Sequence, residues 1–309
     1  MNKPEVWALE KLMKADLGKS AIWIRPRWRR KVEEKLSPPI IEDSEEPPRD
    51  LDTLVVVGGG ILIDRAKVWR KENAPATKLI VVPSIWGSGA ENSPIAILNV
   101  ADKKVIYMGS EFLPDVRVSW DELAKELPAF LVKNACGDVW AHALEGFLSP
   151  VAGDAVRDEL ALVVKSLESL PVRNDPAWFE ISARACAGQA KSSVGLVHGI
   201  AHTLEGAMKR KYAGEYVGHA QLCAAYLWPV FSLNMQLSPK VDTLFEQYGL
   251  DKPKIVGVLK GFFDGHTYDL GLPILQENWQ SVLRDASTRT NCALIRPAHI
   301  SYFASRKFE

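Results

Sequence analysis

The run Leu54-Val55-Val56-Val57, closed by Gly58-Gly59-Gly60, limits what this chain can fold into more than any other stretch. Four consecutive apolar residues leave no polar face for water, the pattern of a strand covered on both sides in a parallel sheet. The glycines end that strand, and Ile61 to Arg70 has helical character, with Asp64 and Lys67 three apart on one side. A strand, a glycine turn and a helix aim backbone N–H groups and the positive end of the helix dipole at one point, which suits a phosphate. The motif is not the G-x-G-x-x-G dinucleotide fingerprint, because Ile63 occupies the third glycine position and no acidic residue ends the following strand.

Leu79-Ile80-Val81-Val82 repeats the buried-strand pattern and runs into Pro83-Ser84-Ile85-Trp86-Gly87-Ser88-Gly89-Ala90-Glu91-Asn92. A second Gly/Ser loop beside the first strengthens the case for a phosphate or pyrophosphate between them. Gly58, Gly59, Gly60, Asp64, Lys67, Ser84, Gly87 and Ser88 are therefore the candidate cofactor-binding residues. Upstream, Ala21 to Ile24 reads as a short strand ending at Arg25-Pro26, followed by Arg27, Arg29, Arg30 and Lys31. A basic cluster in that place either solvates a helix face or grips a phosphate, and periodicity does not separate the two.

Residues 5 to 17 have a weak helical period, and residues 36 to 52, with Pro-Pro pairs and an acidic run, read as a surface connection without regular structure. Ile95 to Asn99 and Val105 to Met108, joined through Ala101-Asp102-Lys103-Lys104, have the form of a β-hairpin, and Val116 to Ser119 is one more strand. Beyond Trp120 only segments of helical length occur: 121–126, 130–148, 156–170, 178–194, 198–211, 218–233, 239–248, 252–263, 277–285 and 297–303. The expected architecture is an α/β dinucleotide-binding domain with a parallel sheet over residues 1–121 and an all-α domain over 122–309.

The helical part holds all six of the chain's histidines. Asp138 and His142 stand four apart in a helix-compatible run, so their side chains share one face. His198, His202 and His219 follow in a Gly- and Ala-rich setting. Either window alone reads as a capping Asp or an ordinary buried His; together they point to a divalent ion held by oxygen and nitrogen, Fe²⁺ or Zn²⁺, and away from thiolate chemistry. The 38 Lys and Arg balance 38 Asp and Glu, so no net field draws nucleic acid or an anionic membrane. Cys136, Cys186, Cys223 and Cys292 are isolated, which reads as reduced, buried thiols in a cytoplasmic protein. Residues 1–19 lack the apolar core of a signal peptide, and no run has the length of a transmembrane helix.

From about Leu54 onward the sequence resembles the iron-containing alcohol dehydrogenase family, within the dehydroquinate-synthase-like fold that also includes glycerol and glycerol-1-phosphate dehydrogenases. The family's triple-glycine motif with Asp and Ala-Lys matches Gly58-Gly59-Gly60-Ile61-Leu62-Ile63-Asp64-Arg65-Ala66-Lys67. Its Pro-Thr loop ending in Gly-Ser-Glu is similar to Pro83 through Glu91, its Asp-x-x-x-His helix to Asp138 and His142, and its His-x-x-x-His segment to His198 and His202. The last metal ligand falls at His219, and Gly271-Leu272-Pro273 and Asn291 to Ile300 follow the closing pattern. Ile61 stands where Ser is usual, Trp86 where a small residue is common, and the first strand region is compressed. The interval from His198 to His219, and Ser93-Pro94, are nearer to the glycerol-1-phosphate branch.

The resemblance implies an NAD(P)-dependent oxidoreductase that interconverts an aldehyde or ketone and an alcohol at a metal held by Asp138, His142, His198 and His219, with His202 relaying the proton. It places Arg25 where a ribose-binding Asp often stands, so NADP(H) is expected over NAD(H). A homodimer acting on a small molecule is expected, with no nucleic acid or membrane partner. Three alternatives remain: a glycerol-1-phosphate dehydrogenase-like enzyme, a dehydroquinate-synthase-like lyase, which should need several Lys and Arg near the metal where the helical half shows few, Lys133 and Lys191 being the nearest, and a non-catalytic relative.

Overall fold

The computed structural model describes residues 3–100, 103–212 and 218–308, the side chains of 99, 100, 103 and 104 excepted. The chain divides into two compact units, Met1–Leu127 and Pro128–Glu309. The first contains strands β1 (Glu5–Ala8), β2 (Ser20–Ile24), β3 (Ile40–Glu42), β4 (Thr53–Gly58), β5 (Lys78–Pro83), β6 (Ile95–Val100), β7 (Lys103–Met108) and β8 (Val116–Ser119). Its helices are α1 (Leu9–Lys14), α2 (Arg29–Glu33), α3 (Gly60–Asn73) and α4 (Asp121–Ala124).

Six strands form a parallel sheet in the order β1-β8-β5-β4-β2-β3, and β6 and β7 form a separate antiparallel pair. The pair is the expected hairpin, although residues 101 and 102 of its expected turn lie outside the described residues. Alternation along each central strand feeds two cores. Ile22, Ile24, Val55, Val57, Ile80 and Val82 pack with Leu12 of α1, with Trp28 just before α2 and with Val32 of α2. Trp23, Leu54, Val56, Leu79 and Val81 pack on the opposite face with Leu62, Ile63, Ala66 and Trp69 of α3. From β2 the chain crosses through α2 to the outer strand β3, whereas from β4 it crosses through α3 the other way to β5. The carboxyl ends of β2 and β4 therefore flank a topological switch point, where open parallel sheets leave a crevice for a ligand.

Two N-terminal expectations need correction. Glu5–Ala8 is a strand rather than the start of a helix: it pairs in parallel with β8 from Glu5↔Val116 to Ala8↔Ser119, and Trp7 enters the core. Pairing with a partner more than a hundred residues away overrides a weak local period. Within the expected connection, Ile40–Glu42 forms an edge strand against β2, and its three residues directly follow Pro38-Pro39, a position where proline is tolerated.

The second unit is helical: α5 (Ala129–Leu148), α6 (Asp154–Ser169), α7 (Ala177–Ser192), α8 (Leu196–Lys211), α9 (His219–Leu237), α10 (Lys240–Tyr248), α11 (Lys252–Phe262), α12 (Gly265–Arg284), α13 (Ala286–Arg289) and α14 (Ile300–Ala304). α5 is buried almost all round from Ala135 to Leu148 and packs against α6, α7 and α9. A Cβ at Gly137 would lie 2.6 Å from Ala224 Cβ, so glycine lets α5 and α9 approach closely at the residue before Asp138. α12 runs twelve residues further toward the N-terminus than its expected start at 277. Pro273 sits inside it, and burial of Tyr268, Ile274, Leu275 and Trp279 holds both halves in one helix despite the missing N–H. No helix among the described residues is long and apolar enough to cross a membrane.

Candidate metal centre and nucleotide crevice

Three helices each contribute two side chains one turn apart: Asp138 and His142 on α5, His198 and His202 on α8, His219 and Cys223 on α9. Spacing of four residues brings each pair to one face, and the faces converge. Asp138 Oδ1 lies 3.7 Å from His142 Nδ1, 3.7 Å from His198 Nε2 and 4.0 Å from His219 Nε2. His142 Nε2 stands 3.0 Å from His198 Nε2. Asp138 is 2% exposed, yet Oδ1 has no hydrogen-bond partner among the described residues. Leaving a buried carboxylate oxygen unpartnered is costly, and a divalent cation among these donors removes that cost. The residues present therefore fit a metal.

Asp138, His198, His219 and Cys223 each offer a ligand atom, all within 4.8 Å of one another. Cys223 was passed over in the sequence because it has no neighbouring cysteine; its signal was the four-residue step from His219. Glu145 was also missed, although it follows Asp138 by seven and His142 by three and so continues their stripe. Its Oε2 lies 2.7 Å from His198 Nδ1, and its Oε1 accepts from the Val197 N–H at 2.6 Å. Burial pushes the Glu145 carboxyl up to about 7, against the lowering effect of the Gly195, Val197 and His198 amides.

His202 stands beside the cluster. Its ring stacks on that of His219 at 5.5 Å between centroids, and its Nδ1 is 3.5 Å from Asp285 Oδ2. Asp285 also accepts from the Ser287 N–H at 2.8 Å at the start of α13. Burial raises its pKa, but the contacts with His202 and Ser287 outweigh that and hold it below the usual carboxylate range.

In the first unit, Gly58 ends β4, and Gly60 opens α3. A Cβ at Gly60 would lie 2.3 Å from Ser88 Oγ, and one at Gly59 would lie 3.2 Å from the Ile85 side chain, so the two Gly/Ser loops pack directly on each other. The Ser84 N–H donates to Gly58 O at 2.9 Å, and Gly87 and Gly89 have φ of 119° and 59°, the region that favours glycine. This is a backbone cradle at the amino end of a fourteen-residue helix, beside the switch point.

Asp64 and Lys67 have another task than the cofactor contact expected of them. Lys67 is fully buried; its Nζ lies 3.1 Å from Asp64 Oδ1 and donates to Ile95 O at 2.8 Å, while Asp64 Oδ2 accepts from the Ile97 N–H at 3.1 Å. The pair fastens α3 to β6. Arg25 follows Ile24, which pairs with Val57 across the switch point, but its Nε is 2.9 Å from Asp43 Oδ2 and its side chain is half exposed. Arg29 pairs with Glu33 and Glu42, Arg30 with Glu34, and Arg27 covers the Trp28 ring. Those three arginines serve a solvated surface.

No family model matches the chain. It is 30% identical over 164 residues to the 1-propanol dehydrogenase PduQ of Salmonella typhimurium, covering 48% of this chain and 44% of that protein. The chain thus spans about half the length of the curated relatives it matches. Among solved structures it is similar to a 1,3-propanediol oxidoreductase, with a TM-score of 0.77 and 18% identity over 99% of this chain and 98% of the other. The iron-containing alcohol dehydrogenase of Thermococcus thioreducens matches at 0.70 and 18%, with the same coverage. A sulfoacetaldehyde reductase from Bifidobacterium kashiwanohense, solved in complex with NAD⁺, matches at 0.71 and 16%, over 98% and 97%. The chain therefore has the fold of the iron-containing alcohol dehydrogenases and is related in sequence to curated alcohol dehydrogenases.

Proposed function

We propose that this protein is a metal-dependent, nicotinamide-linked oxidoreductase interconverting a small aldehyde or ketone and the corresponding alcohol. The observation that carries the reading is Asp138 Oδ1, a buried carboxylate oxygen without a hydrogen bond, facing three histidines. Asp138, His142, His198 and His219 would hold the divalent ion. When bound, such an ion supplies Lewis acidity toward a carbonyl, and a reduced nicotinamide supplies the hydride.

The chain's own residues orient and move protons around that chemistry. Glu145 fixes the His198 ring through Nδ1, leaving Nε2 toward the cluster. Asp285 favours a proton on His202 Nδ1, so that Nε2 exchanges a proton with the substrate side. Gly58, Gly59, Gly60, Ser84, Gly87 and Ser88 form the pyrophosphate cradle, and Arg25 is the group that would prefer NADPH to NADH. A homodimer and a cytoplasmic location belong to the same proposal, the latter supported by four cysteines none of which is in a disulfide.

The test is metal content and activity on one preparation. Protein loaded with Fe²⁺ or Zn²⁺ should reduce small aldehydes or ketones with NADPH, and His219→Ala should lower metal content and turnover together. Full activity in a metal-free His219→Ala protein, or none in fully loaded parent across a carbonyl panel with both cofactors, refutes the reading.

A further inference from the structure

We propose that Thr290 and Asn291, with Asn234 behind them, are positioning residues of the metal centre: they fix the start of α8 and so place His198 and His202 before any ion binds. The inference rests on the metal-dependent reading above and keeps its ligands, Asp138, His142, His198 and His219. Asn291 opens the closing stretch of the chain, to which that reading gives no task.

The first N–H groups of an α-helix have no partner within it, and a Ser, Thr, Asp or Asn at the preceding position usually supplies one. α8 is preceded by Gly195, which has no side chain to offer. Two oxygens from distant parts of the chain take over: Asn291 Oδ1 accepts from the Leu196 N–H at 3.2 Å, and Glu145 Oε1 accepts from the Val197 N–H. A Cβ at Gly195 would lie 2.9 Å from the first oxygen and 2.8 Å from the second, so a local cap and this remote pair exclude each other. His198 is the next residue of the helix.

The turn leading into α8 is held by the same segment. Ser193 has a φ of 73°, a costly conformation for serine that persists where its surroundings over-determine it. Thr290 supplies that hold: its Oγ1 donates to Val194 O at 2.8 Å and lies 2.9 Å from Ser193 Oγ. Asn291 is itself fixed, because its Nδ2 donates to Asn234 Oδ1 at 2.7 Å and to Ala293 O at 3.0 Å, and Asn234 Nδ2 donates back to Asn291 Oδ1 at 3.2 Å. Both amides are more than nine-tenths buried, where a lost partner is costly. Asn234 belongs to α9, the helix that opens with His219. Hydrogen bonds thus run from α9 through Asn291 to the first amide of α8, and Glu145 of α5 grips the next one. The three ligand-bearing helices are joined away from the ligands themselves, and donors fixed in advance need not be ordered by the ion.

The experiment measures Zn²⁺ and Fe²⁺ affinity of the full-length protein by competition with a chelator, alongside Tm. Asn291→Ala should weaken binding about tenfold or more. Asn234→Ala should weaken it less, and the double variant should bind no more weakly than Asn291→Ala alone, because Asn234 acts through Asn291. Thr290→Val should also weaken binding, and Thr290→Ser, which keeps the hydroxyl, should restore it. Leu167→Ala, in the buried face of α6, which holds no ligand, should lower Tm while the folded protein keeps parental affinity. Parental affinity in folded Asn291→Ala, or a loss in Leu167→Ala as large as in Asn291→Ala, overturns the inference and leaves the metal-dependent reading standing. A parent that binds neither ion overturns both. Should Asn291→Ala fail to fold, the Thr290 pair decides: weakened binding in Thr290→Val with recovery in Thr290→Ser supports the inference, and parental affinity in Thr290→Val refutes it.

Discussion

Glu145 Oε2 lies 2.7 Å from His198 Nδ1, while Nε2 of the same ring faces Asp138 Oδ1 at 3.7 Å. A carboxylate on one ring nitrogen fixes tautomer and orientation, so that the other presents a lone pair. Glu145→Gln should keep the fold and weaken metal binding about 10–100-fold, read by competition with a chelator. Unchanged affinity would leave Glu145 as a packing residue.

The same carboxyl sets a pH dependence in the metal-free protein. Burial lifts it from 4.5 to about 7, so between those values the folded state binds more protons than the unfolded chain. Its contribution is fully present below pH 4.5 and is lost as pH rises through 7. Stability of metal-free parent, measured by denaturant unfolding, should therefore carry a component that falls across that window, and Glu145→Gln should lack it. An identical pH slope in the variant would assign the effect to another group.

His202→Asn should retain metal and cofactor but turn over about 10²–10⁴-fold more slowly, the usual loss with an acid–base group. Asp285→Asn removes the carboxylate beside Nδ1 and should shift the pH profile of turnover without changing metal content. Turnover in His202→Asn equal to the parent at every pH would leave His202 structural.

Gly137→Ala forces a Cβ to within 2.6 Å of Ala224 Cβ and 2.9 Å of its Cα. Backbone cannot retreat as a flexible side chain does, so α5 and α9 must separate at a cost of about 1–3 kcal/mol. Asp138 follows Gly137 on α5, so metal affinity should fall with thermal stability. A variant with parental Tm and metal content would show that the helices tolerate the methyl.

Arg25→Ala should reduce the NADPH preference in kcat/KM about tenfold, roughly 1.4 kcal/mol, at fixed ionic strength because a half-exposed contact is screened. Asp43 holds the guanidinium in an ion pair, so Asp43→Asn should release Arg25 and raise the preference. A parent preferring NADH removes Arg25 from this role.

Much of the fold was legible because strands covered on both faces write themselves as apolar runs: Leu54–Val57 and Leu79–Val82 needed no tertiary knowledge. Glu5–Ala8 was not legible, since only pairing with Val116–Ser119 makes it a strand. Asp138, His142, His198 and His202 announced themselves by their four-residue steps. Glu145 and Cys223 share those stripes, but their chemistry depends on which helices meet, which no local spacing encodes. Lys67 misled for the opposite reason: its spacing from Asp64 is the same whether it faces a cofactor or lies beneath a hairpin, and burial decides.

The convergence of α5, α8 and α9 also makes an ion a thermodynamic clasp. Its donors come from segments far apart in the chain, so the unfolded chain presents no such site and binding energy appears as folding energy of the helical unit. At a free ion concentration a hundred times its dissociation constant, that linkage amounts to about 2.7 kcal/mol. Every donor lies beyond Pro128, so chelation withdraws that energy from the three helices alone, and amide exchange there, rather than along β2, β4 and β5, registers whether the ion is present.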